Sequence, residues 1–311
     1  MICVLCGGVG AARFLAGLVQ VVAPPKVVAV VNTGDDTELH GLAISPDIDT
    51  ITYTLSSLVN EEAGWGVRGD SFRAMEALER IGGPVWFRLG DVDLATHLFR
   101  TGRMRDGATL SEVTSEIGAA LGVGMRLLPM SDEPVRTRLR LRSGEEVGFQ
   151  DYFVRLGHSV EVTAVRFDGV ESARPAPGVL EAIVEADAIV IAPSNPVVSI
   201  GPILGVPGVA DVLSKRRERV VAVSPIVAGS TLKGPADRLM RELGEEPTAT
   251  GVGRRLAPVC GTLVIDSADA ALAGEVESLG LSCVVRDTVM ATPERARLLA
   301  RAVLDAVPIA G

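Results

Sequence analysis

Lysine is nearly missing from this chain: Lys26, Lys215 and Lys233 are the only three among 30 basic residues. Set against 39 acidic residues, this leaves a net charge of −9. Duplex nucleic acid is disfavoured as a partner, because holding a phosphate backbone needs a concentrated basic surface. Cysteine is scarce as well. Cys3 and Cys6 form a C-x-x-C, which invites a redox or metal reading. They lie in the apolar run Met1-Ile2-Cys3-Val4-Leu5-Cys6, however, and residues three apart on a strand face opposite sides, so a buried structural pair is expected. No apolar run is long enough to span a membrane and no signal-peptide pattern is present, so a cytoplasmic protein without membrane attachment is expected. With 47% hydrophobic residues in 311, the core needs neither disulfides nor a structural metal.

The apolar runs that are present organise the chain. Ile2–Cys6 and Val27–Val31 read as strands, separated by a glycine loop and a helical pattern from Ala11 to about Val22. The alternation returns after residue 178. Helix Val179–Glu185 precedes strand Ala188–Ala192, and strand Val220–Val223 precedes helix Ala236–Leu243. Strand Thr262–Ile265, helix Ala270–Leu279, strand Ser282–Val285 and helix Pro293–Val307 follow. Continuously apolar strands between helices specify an α/β fold, a doubly wound Rossmann-like and mostly parallel sheet. The middle differs, with helical patterns at Leu94–Met104 and Leu110–Leu121, then antiparallel alternation across 137–168. The expected division is a core of 1–91 and 176–311, with 92–175 an α+β insertion contributing to an acceptor pocket and to dimerisation.

Five segments carry candidate chemistry. The loop Gly7-Gly8-Val9-Gly10-Ala11-Ala12-Arg13 suits a phosphate, since glycines let backbone N–H groups approach and a helix N-terminus follows. A dinucleotide site also wants an acid ending the second strand, and Asn32 stands there instead. Asn32-Thr33-Gly34-Asp35-Asp36 and Ser45-Pro46-Asp47-Ile48-Asp49-Thr50 place four carboxylates near a strand's carboxyl end. Such hard oxygens beside a phosphate suit magnesium, although Asp also caps turns and helices routinely. Trp65 in Gly64–Asp70 and Trp86 before Phe87–His97 are the chain's two tryptophans, both beside Gly, Arg and Asp, which suggests a flat aromatic ligand. Core packing and helix capping are the plainer reading, Asp91 or Asp93 fitting a cap. His97, without a partner at metal spacing, reads as a packing residue. Ser194, Asn195 and Ser199 follow the most apolar strand and can serve a phosphate or a base edge, or merely cap a helix. Lys233, heading a helix, is either a phosphate contact or solvated.

Taken together and in this order, these segments resemble the 2-phospho-L-lactate transferase family of coenzyme F-420 biosynthesis, from Cys6 to about Asp237. The most specific pieces are Asn32–Asp36, Pro46–Thr50, Leu89–Thr96, Leu127–Asp132, Phe149-Gln150 with Val154-Arg155, and Ala186 through Leu204. The family's loop usually reads G-G-V-G-G-A-K/R; here Ala11 replaces its last glycine. The resemblance implies a magnesium-dependent transfer of a 2-phospholactyl or phosphoenolpyruvyl group. Its donor would be guanosine diphosphate-linked, its acceptor the ribityl hydroxyl of the deazaflavin Fo, and GMP would be released. It further implies Mg2+ on Asp35 and Asp49, with Asp36 and Asp47 as alternates. Gly7, Gly8, Val9, Gly10 and Arg13 would hold the diphosphate, and Ser194, Asn195 and Ser199 the nucleotide. Trp65, Arg68, Asp70, Leu89, Asp91 and Thr96 would line the deazaflavin pocket, with Asp91 or Asp49 taking the hydroxyl proton. A homodimer is suggested. A related YvcK-like nucleotide-binding regulator is the alternative, but such proteins continue D-D as D-D-G-G-S, where this chain has Thr37-Glu38-Leu39-His40.

Overall fold

A computed structural model of the chain describes residues 1–307. Its main sheet takes strands β1 (Ile2–Cys6), β2 (Val27–Val31), β5 (Arg126–Pro129), β9 (Ala188–Ile191), β10 (Val220–Val223), β13 (Thr262–Asp266) and β14 (Ser282–Arg286). Small antiparallel pairs form from β3 (Thr37–Leu39) with β4 (Leu42–Ile44) and from β11 (Ile226–Val227) with β12 (Ser230–Thr231). Strands β6 (Arg136–Leu141), β7 (Glu146–Gly148) and β8 (Val162–Asp168) make a separate antiparallel sheet in the order β7-β6-β8. The main sheet is parallel throughout, in the order β14-β13-β10-β9-β1-β2-β5. This is a doubly wound, Rossmann-like sheet.

Side-chain alternation divides its two faces. Cys3 and Leu5, with Val28, Val30, Ile189 and Ile191, pack on one face against the antiparallel sheet and the helices of the second half. Ile2, Val4 and Cys6, with Val27, Ala29 and Val31, pack on the other. There they meet Phe14 and Leu15 of α1 (Gly8–Leu18), Ile48 and Ile51 of α2 (Pro46–Leu55), and Leu299 of the last helix, Pro293–Asp305. Cys3 and Cys6 thus lie on opposite faces, both thiols buried and free, and burial pushes Cys3 up to about 12. Neither a redox pair nor a metal pair can form.

Two departures from expectation matter. The first helix begins at Gly8 rather than Ala11, so the glycine run forms its opening turn. Gly8 has φ +76°, a left-handed conformation that side chains disfavour. The stretch 92–175 is not set apart as a whole, because β5 within it pairs in parallel with β2 at the sheet's edge. Leu127-Leu128 is too short a run to read as a strand, and the closing Pro129 is tolerated because the strand is an edge. The remaining helices of the first half are α3 (Arg73–Arg80), α4 (Asp91–Arg105) and α5 (Leu110–Ala120). Among the described residues no helix is long and apolar enough to cross a membrane.

Candidate active site

Strands β1 and β9 are neighbours, yet the chain runs outward from them in opposite directions, and ligands of such sheets bind at the carboxyl ends beside that switch. Two of the sequence-predicted loops meet there. The Gly7 N–H donates to Ser194 Oγ at 3.2 Å. A Cβ at Gly10 would come within 2.3 Å of the Pro193 carbonyl oxygen, so only glycine lets the loops approach this closely. Asn195 Oδ1 accepts from the Val197 N–H at 2.9 Å, and its Nδ2 is buried without a partner. Over these loops opens a cavity of about 710 Å³, lined also by Arg13, Trp65, Leu89 and Ser199.

The four acids converge by fold but part by environment. Asp35 and Asp36 follow β2, Asp47 and Asp49 occupy the first turn of α2, and all four are buried. The Asn32 amide nitrogen donates to Asp47 Oδ2 at 2.9 Å and to Asp35 Oδ1 at 3.4 Å, while its oxygen accepts the Gly34 N–H at 2.8 Å. Gln150 Nε2 approaches Asp35 from the other side, 3.4 Å from Oδ2. Burial raises the Asp35 carboxyl well above the usual range, and the charges of Asp47 and Asp36 add to it. Burial likewise lifts Asp47 to about 6 despite the Asn32 hydrogen bond. Asp36 is lifted by burial to about 7 against the pull of Arg136 and the Ser45 hydroxyl. It lies off the main cavity and lines a smaller one of about 350 Å³ with Arg136 and Gln150. Asp49 is different again: both its oxygens accept from the guanidinium of fully buried Arg100, Oδ2 at 3.1 Å.

Among the described residues no three His, Cys, Asp or Glu side chains group as a metal cage. Asp35 and Asp47 line the main cavity beside Gly7 and Gly8, joined through one amide. That donor set fits a hard cation that takes one or two carboxylates and completes its shell with phosphate and water. Asp49, committed to Arg100, fits such a role poorly.

Four expected lining residues support the walls and do not line the cavity. Asp70 accepts from the Val92 and Asp93 N–H groups at 2.9 and 3.0 Å, capping α4, and Asp91 accepts from Arg73 and Ala74 at 3.1 and 3.0 Å, capping α3. Hydrogen bonds with Ser71, Ala74 and Arg73 hold the Asp91 carboxyl below its ordinary value. Arg68 donates to the Ser57 carbonyl, and the Thr96 hydroxyl, 2.8 Å from Tyr53 OH, donates to it while Tyr53 directs its own proton elsewhere.

Other residues at the site were given plainer roles by the sequence or none. Asp93, His97 and Arg100 repeat at helical spacing along α4, and Tyr53 lies four residues beyond Asp49 on α2; each spacing is readable in the sequence, the crossing of the two helices is not. Tyr53 OH donates to Asp93 Oδ1 at 2.7 Å, His97 Nε2 lies 3.3 Å from that oxygen, and Arg100 NH1 lies 3.2 Å from His97 Nδ1. Lys233 also lines the cavity, its ammonium donating to the Ala63 carbonyl at 2.9 Å. Phe149 and Phe153, whose rings stack at 5.5 Å, line it too.

Comparison with known proteins agrees with this architecture. The family model described as 2-phospho-L-lactate transferase CofD matches residues 2–298. A phosphoenolpyruvate transferase of Streptomyces griseus is 43% identical over 309 residues, covering 98% of this chain and 97% of that protein. A 2-phospho-L-lactate transferase of Methanosarcina acetivorans is 36% identical over 301 residues, covering 97% of each. A solved UPF0052-family protein from Bacillus halodurans shares the fold, with a TM-score of 0.66 at 17% identity over 97% of this chain and 98% of that one. Resting on nearly the whole length, the match settles descent: the chain belongs to the 2-phospho-L-lactate transferase family.

Proposed function

We propose that the protein transfers a phosphoenolpyruvyl group from a guanosine diphosphate-linked donor to the ribityl hydroxyl of the deazaflavin Fo, releasing GMP, in coenzyme F-420 biosynthesis. The choice over 2-phospholactyl follows the higher identity to relatives named phosphoenolpyruvate transferase, 43% against 36%. One observation carries the reading. A single cavity runs along α2 from Asp47, against the glycine loop, to Tyr53, near Leu89, Phe87 and Asp93. Six residues of helix separate those ends by about 9 Å. One end suits a charged diphosphate and the other a flat apolar acceptor.

The roles follow from charge. Phosphoryl transfer spreads charge over the phosphoryl oxygens, so positioning and cationic stabilisation supply most of the rate. The N–H groups opening α1 face the diphosphate, and Arg13 and Lys233 add positive charge. Ser194, Asn195 and Ser199 hold the nucleotide. Asp35 and Asp47 would hold a magnesium ion, which when bound supplies charge stabilisation to the phosphoryl oxygens. Trp65, with Phe87 and Leu89, receives the deazaflavin. The protein acts as a homodimer. Mass spectrometry of the product from Fo with enolpyruvyl, lactyl and glyceryl donors tests the assignment. A mass increment of phosphoenolpyruvate less one water is expected with the first donor, and no adduct with any donor would contradict it.

A further inference from the structure

Of the acids expected to take the acceptor's proton, Asp91 caps α3 away from the cavity and Asp49 is bound by Arg100 through both oxygens. Asp35 and Asp47 are engaged by amides beside the glycine loop. Asp93 remains. It lines the cavity at the Tyr53 end, and its side chain keeps 12% of its surface exposed. Its Oδ1 is occupied by Tyr53 OH at 2.7 Å and faced by His97 Nε2 at 3.3 Å. Among the described residues no hydrogen bond reaches its Oδ2.

The neighbours fix this state. Arg100 NH1, 3.2 Å from His97 Nδ1, can only donate, so that nitrogen carries the lone pair and the ring proton sits on Nε2, toward Asp93. We propose that Asp93 is the general base, its Oδ2 accepting the proton of the acceptor hydroxyl as that oxygen attacks phosphorus; this rests on the transferase reading above. The new O–P bond forms on the acceptor oxygen. The bond from that phosphorus to the GMP oxygen breaks, the electron pair leaves with GMP, and the proton passes from Asp93 to solvent. Burial alone pushes the Asp93 carboxyl up, but His97, the Tyr53 hydroxyl and the charge of Arg100 outweigh it and hold it below the usual range. It is therefore ionised at neutral pH.

The test uses the full chain with magnesium, Fo and the donor in which the enolpyruvyl group is carried on the terminal phosphate of guanosine diphosphate. Asp93→Asn should lower kcat about 10²- to 10³-fold, with the KM for Fo and the affinity for GDP within about twofold of wild type. A kcat within about threefold of wild type overturns the assignment alone. An inert wild-type protein overturns the transferase reading and the assignment with it. Tyr53→Phe gives an independent check should the Asn variant not fold. Losing the donor to Oδ1 should move the acidic limb of the kcat profile to higher pH, and an unmoved limb also overturns the assignment. The groups facing Asp93 in that profile are Tyr53 from α2 and His97 and Arg100 from its own helix, with Asp49 behind His97.

Discussion

Asp47 and Asp49 stand two residues apart in the first turn of one helix, both buried, with opposite electrostatic settings. Asp49 is closed by a guanidinium that grips both oxygens. Asp47 shares a neutral amide with Asp35, and its carboxyl rises to about 6. Such an arrangement costs stability in the empty protein and is relieved by a cation from outside, whereas a closed ion pair has no use for one. Counting carboxylates along the sequence cannot make this distinction; only their partners can.

The largest effect is expected at Asp47. Asp47→Asn should reduce turnover about 10⁴-fold, equivalent to about 5.5 kcal/mol, without lowering the melting temperature of the empty protein. The closed side should respond in stability: Arg100→Met leaves Asp49 buried and unpaired, costing about 3–5 kcal/mol in urea denaturation, and adding Asp49→Leu should recover much of that loss. A third test uses pH. The Asp47 carboxyl is raised on folding, so its contribution is fully present below about pH 4 and lost as pH rises through about 6. Without divalent ions this amounts to about 2–3 kcal/mol, which Asp47→Asn should subtract from the larger loss of stability that Asp35 and Asp36 share between about pH 4 and 7.5. The smallest effect concerns the aromatic wall. Trp65→Ala should raise the KM for Fo about tenfold, or about 1.4 kcal/mol, and leave the donor's KM unchanged.

Much of the fold was legible because parallel strands buried on both faces leave unbroken apolar runs; β1 and β2 coincide with their expected ranges. The edge strand β5 was not, since its four residues carry only two consecutive leucines. The glycine loop and the Ser194 loop were each legible by composition, whereas their meeting follows from the strand order that sets β1 beside β9. Asp70 and Asp91 misled for a physical reason: the residue type that lines polar sites is also the one that caps helices, and here each caps the helix beginning beside the other. Asn32 argued only against a ribose-binding acid, although it is the clamp joining Asp35 to Asp47. Asp93, His97 and Arg100 were hidden because their significance comes from α4 crossing α2, a tertiary fact that no local window contains.

Whether Asp35 and Asp47 form the cation seat of the diphosphate site is decided by calorimetric titration of GDP with and without magnesium. Wild-type protein should bind GDP at least tenfold more tightly with the ion, and Asp35→Asn/Asp47→Asn should bind it equally weakly under both conditions. Full magnesium dependence in the double variant, or none in wild type, would rule that seat out.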